Sequence, residues 1–234
     1  MQKILISGAS KGVGRAIAIA LAKSRPCALG IIARNADGLT DLVDELRQYD
    51  CMCESYAGDV GDSEFIGTTV ARFKQAFGGI DLLVNNAGVG TFASVDQISS
   101  SLWETMLSTN VTGTFLLCKE CVPLMKATGG HIVTIASDVS RRTFAGGGGY
   151  CATKYAQDAL CLALRKEVRQ FGIKVSVVYP GLIDTHFHSS PQGDISHSSW
   201  LKAEDIADAV RYIVDAPPHV VVDEMVLHPL SQDY

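Results

Sequence analysis

Tyr150 and Lys154 stand four residues apart in Tyr150-Cys151-Ala152-Thr153-Lys154, so a helix there would carry a phenol and an ammonium on one face. A free phenol, with its pKa near 10, is a poor acid or base at neutral pH. Lowering it by about 3 units takes roughly 4 kcal/mol of preferential phenolate stabilisation. A desolvated Lys154 cation one helical turn away can supply much of it, and Ser137 can donate a hydrogen bond to a substrate carbonyl oxygen. Such a set suits proton transfer at a carbonyl. Alone the pair is a weak signal, because the spacing arises by chance on many helices.

A second set has the chemistry of phosphate binding. The run Ser7-Gly8-Ala9-Ser10-Lys11-Gly12-Val13-Gly14 follows an apolar stretch and opens an Ala-rich helical pattern. Glycines let backbone approach a pyrophosphate closely, and a helix N-terminus offers unpaired N–H donors with partial positive charge. The spacing is GxxxGxG instead of the usual GxGxxG, and a plain turn also carries Gly. The strand before and the helix after make a dinucleotide the better reading. Gly8, Ser10, Lys11, Gly12, Val13 and Gly14 are the candidate contacts. Where a carboxylate would take a ribose 2′-hydroxyl stands Ala33-Arg34-Asn35, with no acid before Asp37. Arg34 can pair with a 2′-phosphate and Lys11 can add a second cation, which favours NADP(H) over NAD(H). The plain alternative is a solvated surface Arg.

Elements must bring these residues together. Short apolar runs at Lys3–Ser7, Cys27–Ala33, Cys53–Ala57, Asp81–Asn85, His131–Ala136, Lys174–Tyr179 and Val220–Leu227 read as strands. Several are apolar almost throughout, as strands buried on both faces of a parallel sheet are. Between them Val13–Ser24, Asp37–Tyr49, Ser63–Phe77, Ser101–Lys126, Tyr150–Phe171 and Ala203–Asp215 show helical spacing of apolar residues. The alternation predicts a single α/β domain over residues 1–234: a doubly wound parallel sheet of about seven strands with helices on both faces. Its ligand crevice would lie at the carboxyl ends of the strands.

The composition agrees with a compact fold: 234 residues, 47% hydrophobic and 19% charged, with a net charge of −5. That balance disfavours nucleic acid or an anionic membrane surface as partner and favours a small molecule. No window reads as a membrane span and the start does not read as an export signal, so a cytoplasmic protein is expected. The seven cysteines, an odd number, are then expected to be reduced thiols, including the CxxC-spaced Cys118 and Cys121.

Gly-rich turn, Asn85-Asn86-Ala87-Gly88, Ser137, and Tyr150 with Lys154, in that order, resemble the classical short-chain dehydrogenase/reductase family across nearly the whole chain. The resemblance implies a Rossmann fold, hydride exchange with a nicotinamide, and catalytic roles for Ser137, Tyr150, Lys154 and Asn110, the last holding a water in a proton relay. It further implies cofactor contacts from Asp59 and Val60, from Asn86, Ala87 and Gly88, from Tyr150 and Lys154, and from Pro180, Gly181, Ile183 and Thr185. The family also implies a homodimer or homotetramer, with Leu107, Phe115, Ala159 and Ala163 as candidate interface residues. The C-terminal run Val221 to Pro229, together with Ala33-Arg34-Asn35 and Asn86 to Phe92, resembles sepiapterin reductases and related small-carbonyl reductases. That implies a pterin ketone as substrate. Other carbonyls, such as a 3-oxoacyl thioester or the oxidised form of a small 3-hydroxy acid, remain open, as does a nucleotide-binding sensor without turnover.

Gly181 to Lys202 reads as a long surface loop, and 182–202 is a candidate lid over the substrate, with disorder as the alternative. Phe187 and Trp200 within it are candidate substrate contacts, beside Ser137 and Tyr150. His186, His188 and His197 lack a carboxylate cluster at ligand spacing, so no metal is expected. Arg141-Arg142 would hold an acidic substrate or be a solvated basic loop. At the end of the chain Asp233 is a candidate anchor for a pterin's N–H edge, by the same resemblance, with a frayed tail as its alternative.

Overall fold

The computed structural model describes residues 1–187 and 192–233. Seven parallel strands form one sheet in the order β3-β2-β1-β4-β5-β6-β7. They are β1 Gln2–Ser7, β2 Cys27–Ala33, β3 Cys51–Ala57, β4 Leu82–Asn85, β5 Gly130–Ile135, β6 Ile173–Pro180 and β7 Glu224–Leu227. The order reverses between β1 and β4, the switch point at which an open α/β sheet leaves a crevice. There Ile4, Leu5 and Ile6 pair with Leu82, Leu83 and Val84.

Seven α-helices cover the sheet: α1 Gly12–Ser24, α2 Ala36–Leu46, α3 Ser63–Phe77, α4 Ser100–Met106, α5 Gly113–Met125, α6 Gly148–Val168 and α7 Ala203–Asp215. Alternate residues of each strand serve opposite faces. Ile4, Ile6, Leu29 and Ile31 pack with Ile17 and Leu21 of α1, Leu39 and Leu42 of α2, and Ile206 and Val210 of α7. Leu5, Ile32, Leu83 and Ile132 pack on the other side with Phe73, Leu117, Cys121 and Cys161. All of β2 is buried, which is why its seven residues are almost uniformly apolar.

Element ends follow local chemistry. Asn35 caps α2 by accepting from Gly38 N, and Asp62 caps α3 by accepting from Glu64 N and Phe65 N. Several expected boundaries shift, two elements most. The strand expected over Val220–Leu227 is confined to Glu224–Leu227, because Pro217 and Pro218 hold the preceding residues in a turn closed by Val220 N on Pro217 O. The single helix expected over Ser101–Lys126 is α4 and α5 joined by a π-helical turn, Leu107–Thr112, that carries Asn110. Such wide turns release backbone groups that regular helices consume, and they recur at functional sites.

Candidate active site

The carboxyl ends of the strands open into one cleft of about 990 Å³. At one end lies the Gly-rich turn. Gly8 and Gly12 have φ of 68° and 56°, the left-handed region where a side chain is strained. A Cβ on Gly8 would also sit 2.8 Å from Ala87 Cα. The turn is held from β4: Asn86 donates to Ser7 O (3.0 Å) and Gly8 O (3.1 Å), and Ser7 Oγ accepts from Asn86 N and Ala87 N. No side chain caps the N-terminus of α1, so the N–H groups near Gly12 and Val13 remain available to an anion in the cleft. Arg34 and Lys11 line the same end and are exposed. Exposed cations beside uncapped N–H donors fit a phosphorylated dinucleotide.

Gly8, Ser10, Lys11, Gly12, Val13, Arg34, Asp59, Val60, Asn86, Ala87, Gly88, Pro180, Gly181, Ile183 and Thr185 all line the cleft. Gly14 does not. A Cβ there would strike Gly8 O and the Asn86 amide, so its place is the packing of α1 under the turn.

The other end gathers the groups expected to move a proton. Ser137, Tyr150 and Lys154 converge there from β5 and α6. Ser137 Oγ donates to Asp138 Oδ1 (3.1 Å) and approaches Pro180 O (3.5 Å). Burial pushes the Tyr150 phenol well above its usual pKa, with Ser137 as a hydrogen-bonding partner pulling it back. The expected depression by Lys154 is not seen. The ammonium lies 5.9 Å from the centre of the ring and donates instead to Ile135 O (3.1 Å) and Gln157 Oε1 (2.9 Å). Burial in turn lowers the Lys154 pKa to about 8.

Asn110 is completely buried behind this set and does not line the cleft. Its side chain accepts from Val89 N (2.8 Å) and donates to Val89 O and Thr153 Oγ1 (2.9 Å each). It therefore ties the segment after β4 to α6.

A family model for the short chain dehydrogenase matches residues 2–194. The chain belongs to the short-chain dehydrogenase family. It is 30% identical over 237 residues to a sepiapterin reductase of Chlorobaculum tepidum, with 98% of this chain and 97% of that one covered. Its fold superposes at a TM-score of 0.93 and 33% identity on an alcohol dehydrogenase of the archaeon Thermococcus sibiricus complexed with 5-hydroxy-NADP, covering 100% of this chain and 99% of that one. A serine dehydrogenase in a closed form with NADP+ matches at 0.90 and 28% identity, covering 100% and 97%.

In this short-chain dehydrogenase the loop expected as a lid has a fixed base. Ile183 and Leu201 form a β-bridge, and the buried Asp184 carboxylate accepts from Gly193 N (2.9 Å), Lys202 Nζ (2.9 Å) and His197 Nδ1 (3.3 Å). The Lys202 and Gly193 bonds hold the Asp184 pKa down at about 2. Of the two aromatic candidates, Phe187 reaches the cleft, its ring 5.4 Å from that of Tyr150. Trp200 does not line it; its indole stacks on His197 at 3.8 Å. His188 and the stretch 188–191 lie outside the described residues, and among the described residues no group of three or more metal-binding side chains forms.

The tail crosses the substrate end. Gln232 Nε2 donates to Asp138 (2.7 Å), its Oε1 accepts from Leu182 N (2.8 Å), and Asp233 lines the cleft although exposed. Arg142 lines the cleft as well and is paired with Asp138.

Three site residues went unread in the sequence. Phe92 and Phe144 form an aromatic wall with Phe187 and Tyr150, ring centres 5.5 to 6.4 Å from Phe92. Phe92 lies four residues after Gly88, but nothing in the local spacing pairs it with Phe144. Gln157 had a signal: an amide one turn after Lys154, on a helix face otherwise turned to the core.

Proposed function

We propose that this short-chain dehydrogenase is an NADP(H)-dependent reductase of small carbonyl compounds, with a pterin side-chain ketone of the sepiapterin kind as the favoured substrate. One observation carries the reading: Ser137, Tyr150 and Lys154 meet at one end of a cleft whose other end presents Arg34 and Lys11. NADP in the solved relatives supports the cofactor, and the Chlorobaculum relative supports the substrate. Asp233 at the substrate end would accept the N–H donors of a pterin edge.

The cofactor, when bound, supplies a hydride to the carbonyl carbon. Ser137 donates a hydrogen bond to the carbonyl oxygen, exchanging its present partners Asp138 and Pro180 for it. Tyr150 gives that oxygen its proton, and burial keeps the phenol protonated at neutral pH, the state a donor needs. Lys154 stabilises the phenolate left behind, and Asn110 fixes the cleft floor through Val89. The aromatic wall of Phe92, Phe144 and Phe187 excludes water and packs on the substrate's apolar part. The described parts of the expected lid, 182–187 and 192–202, would border the substrate between the base at Asp184 and the tail at Gln232.

The serine dehydrogenase relative and the cleft-lining Arg142 favour a second reading, a small 3-hydroxy acid whose carboxylate pairs with the guanidinium. Exposed Phe115, Ala159 and Ala163, with Leu107 beside them, are the proposed contact face of a homodimer. A reducing cytoplasmic setting suits seven cysteines that are all free thiols. No helix among the described residues is long and apolar enough to cross a membrane.

Loss of NADPH absorbance with a panel of pterins, diketones, 3-oxoacyl thioesters and 3-oxo acids tests the reading. The expected result is turnover fastest with the pterin ketone. Turnover fastest with a 3-oxo acid selects the second reading, and none with any member leaves a nucleotide-binding sensor.

A further inference from the structure

Behind Lys154 a buried side chain links the ammonium to Asn110. Gln157 is completely buried in α6, one turn beyond Lys154. Its Oε1 accepts from Lys154 Nζ at 2.9 Å, and its Nε2 donates to Asn110 O at 3.1 Å and to Thr114 Oγ1 at 2.8 Å. The amide can point only one way. An ammonium has donors and no acceptor, so the oxygen must face it, and both amide hydrogens are then spent on Asn110 and Thr114. Thr114 Oγ1 itself donates to Asn110 O at 2.9 Å. Two protein donors therefore converge on the Asn110 carbonyl, one from α5 and one from α6.

We propose that Gln157 is a positioning residue for the proposed reductase chemistry: its amide spans Lys154 and Asn110 and fixes the ammonium beneath Tyr150. The inference rests on the assignment of Lys154 to catalysis given above, and it goes beyond that assignment in naming what holds the ammonium. The bridge joins α6, β5 and the π-helical turn in one hydrogen-bonded network around the ammonium.

The bridge also bears on the charge of Lys154. Burial already depresses its pKa to about 8. Gln157 Oε1 and Ile135 O are the oxygens that favour the charged form against that cost. The titratable groups around the ammonium are Tyr150 and Cys161, both on α6. Asp158, next in sequence, is turned to the Tyr179 hydroxyl at 2.6 Å. Asn110, Thr114 and the Ile135 carbonyl, from the elements packed against α6, carry no charge. Removing the amide oxygen therefore shifts Lys154 further towards the neutral amine.

Two variants and two readouts test this. Gln157→Leu keeps the volume and removes the bridge, and Gln157→Glu keeps an acceptor and adds a charge. The first readout is the Lys154 ammonium titration by nitrogen-resolved NMR on the cofactor-free protein, which does not depend on activity. The midpoint should fall by about one unit in Gln157→Leu and rise in Gln157→Glu, one unit being a tenfold change in the proton equilibrium. The second is the alkaline limb of kcat for carbonyl reduction. It should move in parallel, with KM for the carbonyl unchanged within about twofold and kcat at neutral pH restored towards the wild type in Gln157→Glu. Midpoints unmoved in both variants overturn the proposal and leave Gln157 a structural residue. If Gln157→Leu does not fold, Gln157→Glu decides alone by the direction of its shift. A wild type that reduces no carbonyl defeats the functional reading, while the NMR titration still decides whether Gln157 holds the ammonium's proton.

Discussion

The two ends of the cleft are built on different principles. The proposed nucleotide end offers left-handed glycines, uncapped backbone N–H groups and the long exposed side chains of Arg34 and Lys11. At the proposed catalytic end the groups are side chains that are almost wholly buried, with Lys154, Asn110 and Gln157 wired by hydrogen bonds across α6, the π-helical turn and β5. A diphosphate needs close approach and positive potential, both of which tolerate solvent. Proton transfer needs fixed distances and a low dielectric, which solvent destroys. The difference teaches that damage at one end should be graded and electrostatic, and at the other abrupt and local.

The largest effect should come from Tyr150→Phe, which removes the proton donor while leaving the ring against Phe92 and Phe187. Turnover should fall by about 10²-fold or more with NADPH affinity changed less than about twofold. Retention of a tenth of the activity in steady-state assays would break the contrast at its strong end. Gly14→Ala comes next, because its Cβ would meet the Gly8 carbonyl and the Asn86 amide. Overpacking there should cost about 1–3 kcal/mol and lower the melting temperature by several degrees. NADPH affinity should drop with it, as the turn loses its shape; calorimetry and fluorescence titration measure the two.

Arg34→Asp should weaken NADPH by about 10- to 100-fold, the worth of a charged hydrogen bond, with little change for NADH. The gap between the two cofactors should narrow as salt rises, since the guanidinium is exposed. Equal affinities in the wild type would show that this end does not read the 2′-phosphate. Asp233→Asn should have the smallest effect, about tenfold in KM for a pterin and none for a simple diketone, because the carboxylate is exposed and screened. An equal change for both substrates would mean that Asp233 orders the tail and does not touch the pterin.

Much of the fold was legible because a buried parallel strand must be apolar on both faces, as β2 is throughout. The Gly-rich turn was legible for a similar reason, since phosphate-binding backbone shapes demand glycine within a few residues of a strand end. The π-helical turn was not. The apolar periodicity from Ser101 to Lys126 reads as one helix, and the widening at Leu107–Thr112 depends on partners for Asn110 more than twenty residues before and more than forty after it. Trp200 shows the same dependence on tertiary packing: an aromatic in a loop near a cleft suggests substrate contact, and the fold stacks it on His197, three residues earlier. The tail, for which fraying was the plain alternative, is instead pinned by Gln232 to Asp138 and Leu182 and by Ser231 to Ser199.

Local constraints are what the chain alone determined: periodicity, glycine-dependent turns and the i, i+4 pairing of Tyr150 with Lys154, all of which act within a few residues. Tertiary structure decided the states of those groups. Lys154 donates to Gln157 and Ile135, and its pKa fell because packing removed it from water. Gly14 became a packing contact because the start of α1 lies against Gly8 and Asn86, the residues that follow β1 and β4. Which buried donor meets which acceptor depends on the mutual placement of helices and strands far apart in sequence, and no short window of residues contains it.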